Sequence, residues 1–185
     1  IRETAKGRAR VHLVDLETAF EKESPPGVPG ENLFLEHVHM NFHGNYVIAE
    51  ALFRSVRDGG VIKELAADAE PLDESACTEK LGYVGWSRYQ IELTIRGLFR
   101  DPPFNSQLDA EVRAGQWDDR LRAMKSELQP ANLQQSQAVF ERAIAGNPTD
   151  WHVRHRYAQF LGHCGQPHDA IEQYREILAS APEHE

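Results

Sequence analysis

Apolar residues recur three or four positions apart over most of this chain, the spacing of one face of an α-helix. Ile91, Ile95 and Leu98 form one such face, and Pro102 ends the pattern that contains them. The helices predicted in this way are 45–56, 86–99, 108–128, 133–145, 150–163 and 167–181, with shorter helices at 17–23, 61–67 and 77–81 and the end of a helix over 1–10. The chain is therefore predicted to be mainly α-helical.

One stretch departs from the helical pattern. Residues 11–16 form a nearly continuous apolar run, which is typical of a strand buried on both faces of a parallel sheet. Such a strand needs neighbours, because its backbone N–H and C=O groups must be paired, and no second strand is apparent in the sequence. Two interpretations are therefore open: either the neighbouring strands belong to a part of the parent protein outside this sequence, or residues 11–16 do not form a strand and are helical or irregular.

Loops divide the chain into regions. Residues 24–30 contain three prolines and two glycines, which no regular element tolerates, and residues 68–73 form a polar joint. We place the main domain boundary at that joint. The predicted division is 1–68 for a small α/β fragment, 69–105 for a helical connector and 106–185 for helical repeats.

The last helical segments repeat with a fixed period. Phe140-Glu-Arg-Ala-Ile followed by Asn-Pro recurs as Tyr174-Arg-Glu-Ile-Leu followed by Ala-Pro, with Tyr174 lying 34 positions after Phe140. This pattern resembles the tetratricopeptide repeat, a pair of antiparallel helices that stacks on its neighbours to form an α-solenoid. In the last unit, Ala158 and Ala170 are small enough to let two helices cross closely, and Gly165 provides the turn.

The unit before it, from about residue 117 to residue 148, matches the repeat less well. Ser136 stands where alanine is usual, and Gln129-Pro130 replaces the glycine turn. We interpret it as a degenerate repeat, with a generic helical hairpin as the alternative. Because a stacked array usually needs about three units, the helices from residue 86 onward are expected to supply the missing wall, unless more repeats follow.

The resemblance to tetratricopeptide repeats implies a concave face that holds a protein or peptide partner and is lined by the first helix of each unit. In the last unit five polar residues would lie on that face. They are His152, His155, Arg156, Gln159 and His163. Their chemistry suits an acidic or C-terminal peptide segment, and the alternative is that they are solvated surface residues.

Residues 34–46 bring three histidines and an acid together directly before an amphipathic helix. Glu36 and His39 lie three positions apart on a tight loop, where a carboxylate and an imidazole can converge for acid–base catalysis. Together with Asn41 and Gly44, the pair resembles the last conserved block of the SGNH (GDSL-like) hydrolase family. The resemblance covers roughly residues 1–56. It implies that His39 is the general base for a serine nucleophile and that Glu36 orients it.

The chain departs from the SGNH pattern in three ways. Glu36 stands where the family has aspartate, and Met40 where proline is common. The nucleophile block Gly-Asp-Ser and the oxyanion-hole residues belong upstream, and nothing here matches them, since Ser24, Ser55 and Ser87 lack the context of a nucleophile turn. We therefore expect the isolated chain to be inactive and to need the N-terminal part of an SGNH-like domain as its partner.

A metal site is a rival interpretation of the same loop. His37 and His39 alternate along the chain, and His43 follows four positions later, so that the three imidazoles with Glu36 could surround zinc. A third interpretation is a polar loop whose histidines only cap and hydrogen-bond. His12 and His168 are interpreted as structural or surface residues.

Composition and charge narrow the function classes. Of the 185 residues, 41% are hydrophobic and 26% are charged, as in ordinary globular proteins. The net charge of −9 argues against nucleic acid as a partner, and no apolar run approaches the length of a membrane span.

Cys77 and Cys164 match no metal or redox spacing and are predicted to be free thiols. No cofactor is predicted, and the compartment stays open because a targeting signal could precede a chain that does not begin with Met.

Three hypotheses about function follow. The first is a tetratricopeptide-like interaction scaffold joined to the C-terminal part of an SGNH-type ester hydrolase. The second is a purely non-catalytic interaction protein in which the histidine loop is structural. The third is a metal-binding histidine loop.

Overall fold

Helices make up most of the described chain, as the hydrophobic spacing predicts. The computed structural model describes residues 2–5, 7–8, 11–24 and 27–180. In chain order the helices are α1 (Arg2–Ala5), α2 (Leu16–Lys22), α3 (Phe42–Asp58), α4 (Glu74–Lys80), α5 (Gly85–Leu98), a short 3-10 helix (Phe104–Ser106), α6 (Ala110–Glu127), α7 (Pro130–Gly146), α8 (Trp151–His163) and α9 (Pro167–Ser180). Among these residues there is no strand, only one antiparallel bridge between Phe34 and Met40. The prediction of a mainly α-helical chain is confirmed.

The predicted strand over residues 11–16 is not formed, and the structure does not show the small α/β fragment that depended on it. Residues 11–15 are irregular, with Val11 45% and Leu13 44% exposed, and Leu16 begins α2. Asp15 caps that helix by accepting a hydrogen bond from the backbone N–H of Thr18 (3.2 Å). An apolar run becomes a buried strand only where other strands pair with it, and the described residues provide none.

One other expected helix differs from the structure. Residues 61–67 form turns rather than a helix, with Val61 and Ile62 exposed, because Gly60 in the left-handed conformation ends the helical path. The predicted close of the first helix falls partly on residues 9 and 10, which lie outside the described residues.

The chain divides into two compact units, Ile1–Glu74 and Ser75–Glu185. Unit 1 is built around α3, against which α2 packs. Leu33 is fully buried beside this helix, and Phe20 of α2 meets Phe34 edge to face, with ring centroids 5.6 Å apart. Arg57 holds the segment after α3 by donating to the carbonyl of Ala69 (2.9 Å). A single long helix and a few apolar anchors thus support the histidine loop.

Unit 2 has a larger aromatic core. Phe140 and Phe160 are fully buried, and the ring of Phe140 stacks on Tyr157 with centroids 5.4 Å apart. Trp86, from the first turn of α5, meets Phe160 edge to face at 5.6 Å. Offset and edge-on aromatic pairs of this kind are favourable beyond the area they bury. The core therefore joins α5, α7 and α8.

Helices α8 and α9 form the most extensive helix pair of unit 2. Ala158 and Ala170 are both buried, and Gly165 adopts a left-handed conformation (φ 74°) in the turn between the helices. Asp150 caps the start of α8, with its carboxylate accepting from the backbone N–H of Val153 (3.1 Å). The structure is thus compatible with a helical repeat at this position.

Helix α6 packs against α5 instead of α7, its neighbour in sequence. Arg96 of α5 donates twice to the carboxylate of Asp118, over 2.7 and 2.9 Å, and Phe99 lies against the buried Trp117 with ring centroids 6.1 Å apart. The unit predicted over residues 117–148 is therefore not a closed hairpin, because its first helix buries its apolar face on α5.

In the described part of the chain, Cys77 and Cys164 are not joined in a disulfide. No helix in this part of the chain combines the length and apolar character needed to cross a membrane.

Candidate functional site

The histidine loop of unit 1 surrounds a buried carboxylate. The side chain of Glu36 has no exposed surface. Its Oε1 accepts from the backbone N–H of His39 (2.8 Å) and from Nδ1 of the same residue. Its Oε2 accepts from the backbone N–H of Val38 (3.2 Å) and lies 2.5 Å from Nδ1 of His37. The structure thus brings the two residues of the predicted catalytic pair together and adds His37 on the second oxygen.

The charge state of Glu36 determines which atoms of the loop carry protons. Burial by itself raises the pKa of this carboxyl, but the hydrogen bonds from the His39 ring and from the His39 and Val38 amides, together with nearby His37, lower the pKa below its ordinary value. At neutral pH the carboxylate is ionised and can only accept hydrogen bonds. The His39 proton therefore lies on Nδ1, and Nε2 is left as the basic nitrogen.

Short backbone contacts hold the loop in this shape. The N–H of Leu35 donates to the carbonyl of His39 (2.7 Å), and the N–H of Asn41 donates to the carbonyl of Leu33 (2.9 Å). The Asn41 side chain then caps α3 by accepting from the N–H of Gly44 (2.9 Å). The acid and the imidazole thus lie on a turn closed by the Leu33–Asn41 contact, and α3 begins directly after this turn.

The His39 ring faces solvent without a nucleophile beside it. Its side chain is 58% exposed, and within the described residues Glu36 is its side-chain partner and no hydroxyl contacts it. Ser24 is buried, and its hydroxyl accepts from the amide of Asn32 (3.0 Å). Ser87 lies in unit 2 and donates to the carbonyl of Gly82 (3.4 Å). The loop can therefore offer a base to a hydroxyl group, but the described chain brings none to it.

His43 lies apart from the other two histidines. Its Nδ1 is 2.9 Å from Glu74 Oε2, and its Nε2 is 3.6 Å from Glu23 Oε2. In the described residues no group of three or more His, Cys, Asp or Glu side chains is arranged to hold a metal ion. Because His43 contacts Glu74 and Glu23 instead of Glu36, the predicted ligand set of three imidazoles and this carboxylate is not assembled around one point.

Part of the predicted peptide-binding set lines a groove between α5 and α8 of unit 2. We call it the α5–α8 groove. It consists of two adjoining depressions of about 190 and 430 Å³. From α8 it is lined by Arg156, Gln159 and His163, and from α5 by Trp86, Ser87, Gln90, Ile91 and Thr94. Three of the five predicted residues therefore share one surface.

Two residues that line the groove, Arg156 and His163, are held in place by contacts with other residues of unit 2. Arg156 is held in place by donating from Nη2 to the carbonyl of Leu81 (2.5 Å), and burial lowers the pKa of its guanidinium, which nevertheless stays charged at neutral pH. The ring of His163 lies against Trp86 with centroids 5.9 Å apart. Gln159, in contrast, is exposed at the rim.

The other two predicted residues lie elsewhere on α8. His152 stacks on the neighbouring ring of Trp151, with centroids 3.5 Å apart, and His155 meets Tyr174 of α9 edge to face at 5.6 Å. A helix turns by about 100° per residue, which places residue 152 on the same side of α8 as residues 156, 159 and 163, but in the first turn of the helix and outside the residues that line the groove. His155 belongs to the contact between α8 and α9 instead.

The α5 wall of the groove was missed by sequence reasoning. Trp86, Gln90 and Thr94 follow one another at intervals of four, which places them on one face of a helix. That spacing could have indicated a polar stripe, but not which helix would lie opposite it.

A second cleft of about 440 Å³ lies in unit 2 where α6 and α7 diverge. Its floor is apolar, with Val84, Leu128 and Val139, and its rim is polar, with Gln135 and Ser136 among its residues. Residues of α4 and α5, among them Glu79 and Arg88, complete its lining.

Comparisons of this chain with protein-family models, with curated proteins and with solved structures gave no match.

Proposed function

We propose that this chain is a helical-repeat interaction module joined to the C-terminal part of an SGNH-type ester hydrolase. Unit 2 holds a peptide segment of a partner protein in the α5–α8 groove, and unit 1 carries a general base with its orienting acid. The observation that carries the proposal is that Arg156, Gln159 and His163 line one groove opposite α5.

The repeat character of unit 2 is supported by three features. The sequence period of 34 residues relates Phe140 to Tyr174. Ala158 and Ala170 are both buried in the α8–α9 hairpin, and Gly165 provides its turn. On these grounds we assign α8 and α9 to a tetratricopeptide-like unit, with α5 in the place that the first helix of a preceding unit would occupy.

The charges of the groove favour an acidic or C-terminal peptide segment. No carboxylate is among its described lining residues, although the whole chain carries a net charge of −9. Arg156 supplies a fixed positive charge, and His163 adds an imidazole that can donate a hydrogen bond to a carboxylate. Gln90 and Gln159 carry amides that both donate and accept, which suits an extended peptide backbone.

An array of random octapeptides tests this function. Half of the array ends in a free carboxylate and half in an amide, and the bound fraction is measured with fluorescently labelled chain. We expect binding to favour peptides that are acidic or have a free carboxylate, and we expect Gln159→Glu to weaken binding at least about tenfold by placing like charge at the rim.

Gln135→Glu is the matched control, because Gln135 lines the other cleft and the same charge is added there. This variant should bind as the natural chain does. Equal losses in both variants, or no binding to either half of the array, would contradict the groove as the binding site.

A second function, in unit 1, is supported by the contact between Glu36 and His39. An ionised carboxylate on Nδ1 holds the imidazole with Nε2 free to take a proton from a hydroxyl, as in Ser-His-acid hydrolases. In the proposal the serine comes from the N-terminal part of an SGNH-like domain, since the described serines do not contact His39.

Hydrolysis of p-nitrophenyl acetate by the natural full-length protein tests this second function. His39→Ala should lower kcat/KM by about 10³-fold or more, and Glu36→Gln should also lower it. His168→Ala, on the exposed part of α9, is the control and should leave the rate unchanged. If the full-length protein shows no esterase activity, or His39→Ala has the rate of the natural protein, unit 1 is not part of a hydrolase and the non-catalytic hypothesis stands.

A further inference from the structure

His37 and His39 contact opposite oxygens of the same carboxylate. Nδ1 of His39 meets Oε1 of Glu36, and Nδ1 of His37 lies 2.5 Å from Oε2. With the backbone N–H groups of His39 on Oε1 and Val38 on Oε2, each oxygen has one backbone N–H donor and one imidazole Nδ1 beside it. An ionised carboxylate has about four acceptor positions, so the side chain of Glu36 is fully satisfied.

The four contacts differ in how firmly they hold the carboxylate. A glutamate side chain has three rotatable bonds, and the last of them is only weakly restricted. On Oε2 the amide of Val38 stands 3.2 Å away, whereas the His37 ring stands at 2.5 Å. The His37 ring is therefore the closer of the two groups that contact Oε2.

We propose that His37 is a positioning residue for the Glu36–His39 pair: by donating from Nδ1 to Oε2, it keeps Oε1 directed at Nδ1 of His39. The inference rests on the proposed role of Glu36 as the acid that orients His39. His37 needs no contact with a substrate to act in this way. Its Nδ1 proton is shared with Glu36, and its effect on chemistry passes through the position of the carboxylate.

A specific protonation pattern follows from this geometry. Because the carboxylate accepts and does not donate, both imidazoles must carry their proton on Nδ1 when they are neutral. An unconstrained histidine ring in water favours the proton on Nε2. Two neighbouring rings held in the less favoured form would thus report a shared acceptor.

Ring ¹⁵N chemical shifts of the folded chain at pH 7.5 measure this pattern directly. In the natural chain, His37 and His39 should both be in the Nδ1–H form. In His37→Leu, which removes the donor from an exposed position, the ratio of the Nδ1–H to the Nε2–H form of His39 should fall by about threefold or more. His37→Asn retains an N–H donor close to the place of Nδ1 and should keep the ratio near that of the natural chain.

Glu36→Gln separates this inference from the proposed hydrolase function. If Glu36→Gln changes the ring form of His39 and His37→Leu does not, the positioning role is wrong and the acid–base pair stands. If Glu36→Gln leaves His39 unchanged, the pair itself is wrong. A His37 ring in the Nε2–H form in the natural chain overturns the inference without any variant, which covers the case in which His37→Leu fails to fold.

Discussion

Gly44, in the first turn of α3, lies directly against the carbonyl oxygen of Leu33, so that a β-carbon at Gly44 would overlap this oxygen. Leu33 is fully buried, and its carbonyl also accepts from the backbone N–H of Asn41 (2.9 Å). The close approach places the histidine loop on the helix that supports it. The glycine of the sequence block therefore has a packing role that is independent of chemistry.

Gly44→Ala should destabilise unit 1 by about 1–3 kcal/mol, because the added methyl group meets backbone atoms that cannot move aside. Urea unfolding followed by circular dichroism measures the change. Gly115→Ala is the matched control within a helix, since a β-carbon there meets open space. It should raise stability by about 0.5–1 kcal/mol through helix propensity. Equal effects of the two substitutions would contradict the close contact with Leu33.

Glu36 should make the stability of unit 1 depend on pH in the acidic range. Its pKa in the folded chain is lowered from an ordinary value of 4.5, so the stabilisation is fully present above pH 4.5 and is lost as pH falls through the lower, folded value. Glu36→Gln should lower the free energy of unfolding by about 1.5–3 kcal/mol at pH 7. The NH₂ group of the glutamine would face an N–H group that donates to the carboxylate in the natural chain, and two donors cannot hydrogen-bond to each other. The difference between the two chains should narrow toward pH 3.

Unfolding free energies from urea titrations between pH 3 and pH 7 provide the measurement. Glu31→Gln is a suitable control, since Glu31 is exposed on the same loop. If the difference in unfolding free energy between the natural chain and Glu36→Gln instead stays constant over this range, the folded loop does not stabilise the ionised form of Glu36.

Tyr157 connects α8 to α7 through a polar contact at the edge of an aromatic core. Its hydroxyl donates to Oε1 of Glu141 (3.0 Å), and burial, followed by this hydrogen bond, raises the pKa of Tyr157 well above its ordinary value. Its contribution is therefore fully present below about pH 10, where the unfolded side chain begins to ionise, and is lost as pH rises further.

Tyr157→Phe should cost about 0.5–1.5 kcal/mol at pH 8, because it removes one hydrogen bond while keeping the ring. Melting temperatures at pH 8 and pH 11 test the pH dependence. The natural chain should lose more stability between these values than the variant does. If the melting temperature of Tyr157→Phe falls by as much as that of the natural chain, groups other than Tyr157 cause the loss of stability at alkaline pH.

Phe140→Ala should destabilise unit 2 by about 3–5 kcal/mol, the usual cost of a large cavity in an aromatic core. Its ring is fully buried against Tyr157 and Phe160, and it also lies against Gly82, which leaves no room for a β-carbon there. Leu108→Ala is the control, because Leu108 is fully exposed, and it should change stability by no more than about 0.5 kcal/mol. Comparable losses at the two positions in urea unfolding would refute this core.

The helices of this chain could be predicted closely from its sequence, and the reason is local. Helix hydrogen bonds join residues four apart, so apolar spacing and the breaking residues Gly and Pro decide where each helix runs. The predicted segment 150–163 became Trp151–His163, and 86–99 became Gly85–Leu98. The strand predicted over residues 11–16 fails for the opposite reason, because a strand exists only where a distant segment pairs with it.

In the candidate sites, local spacing and tertiary packing made different contributions. Glu36 and His39 meet because three positions on a tight turn bring an acid and an imidazole together, which the sequence pattern alone predicts. The sequence also determined the helical character of the chain and the 34-residue period. Only the tertiary structure decided that His43 turns to Glu74. The pairing of α6 with α5, and the joining of Gln90 to Gln159 in one groove, were likewise decided by packing between helices far apart in the chain. The sequence shows that a helix has an apolar face but not which other helix that face will contact, because the apolar faces of different helices look alike. The partner is decided in the folded protein, where only some pairs of faces have side chains that pack closely together.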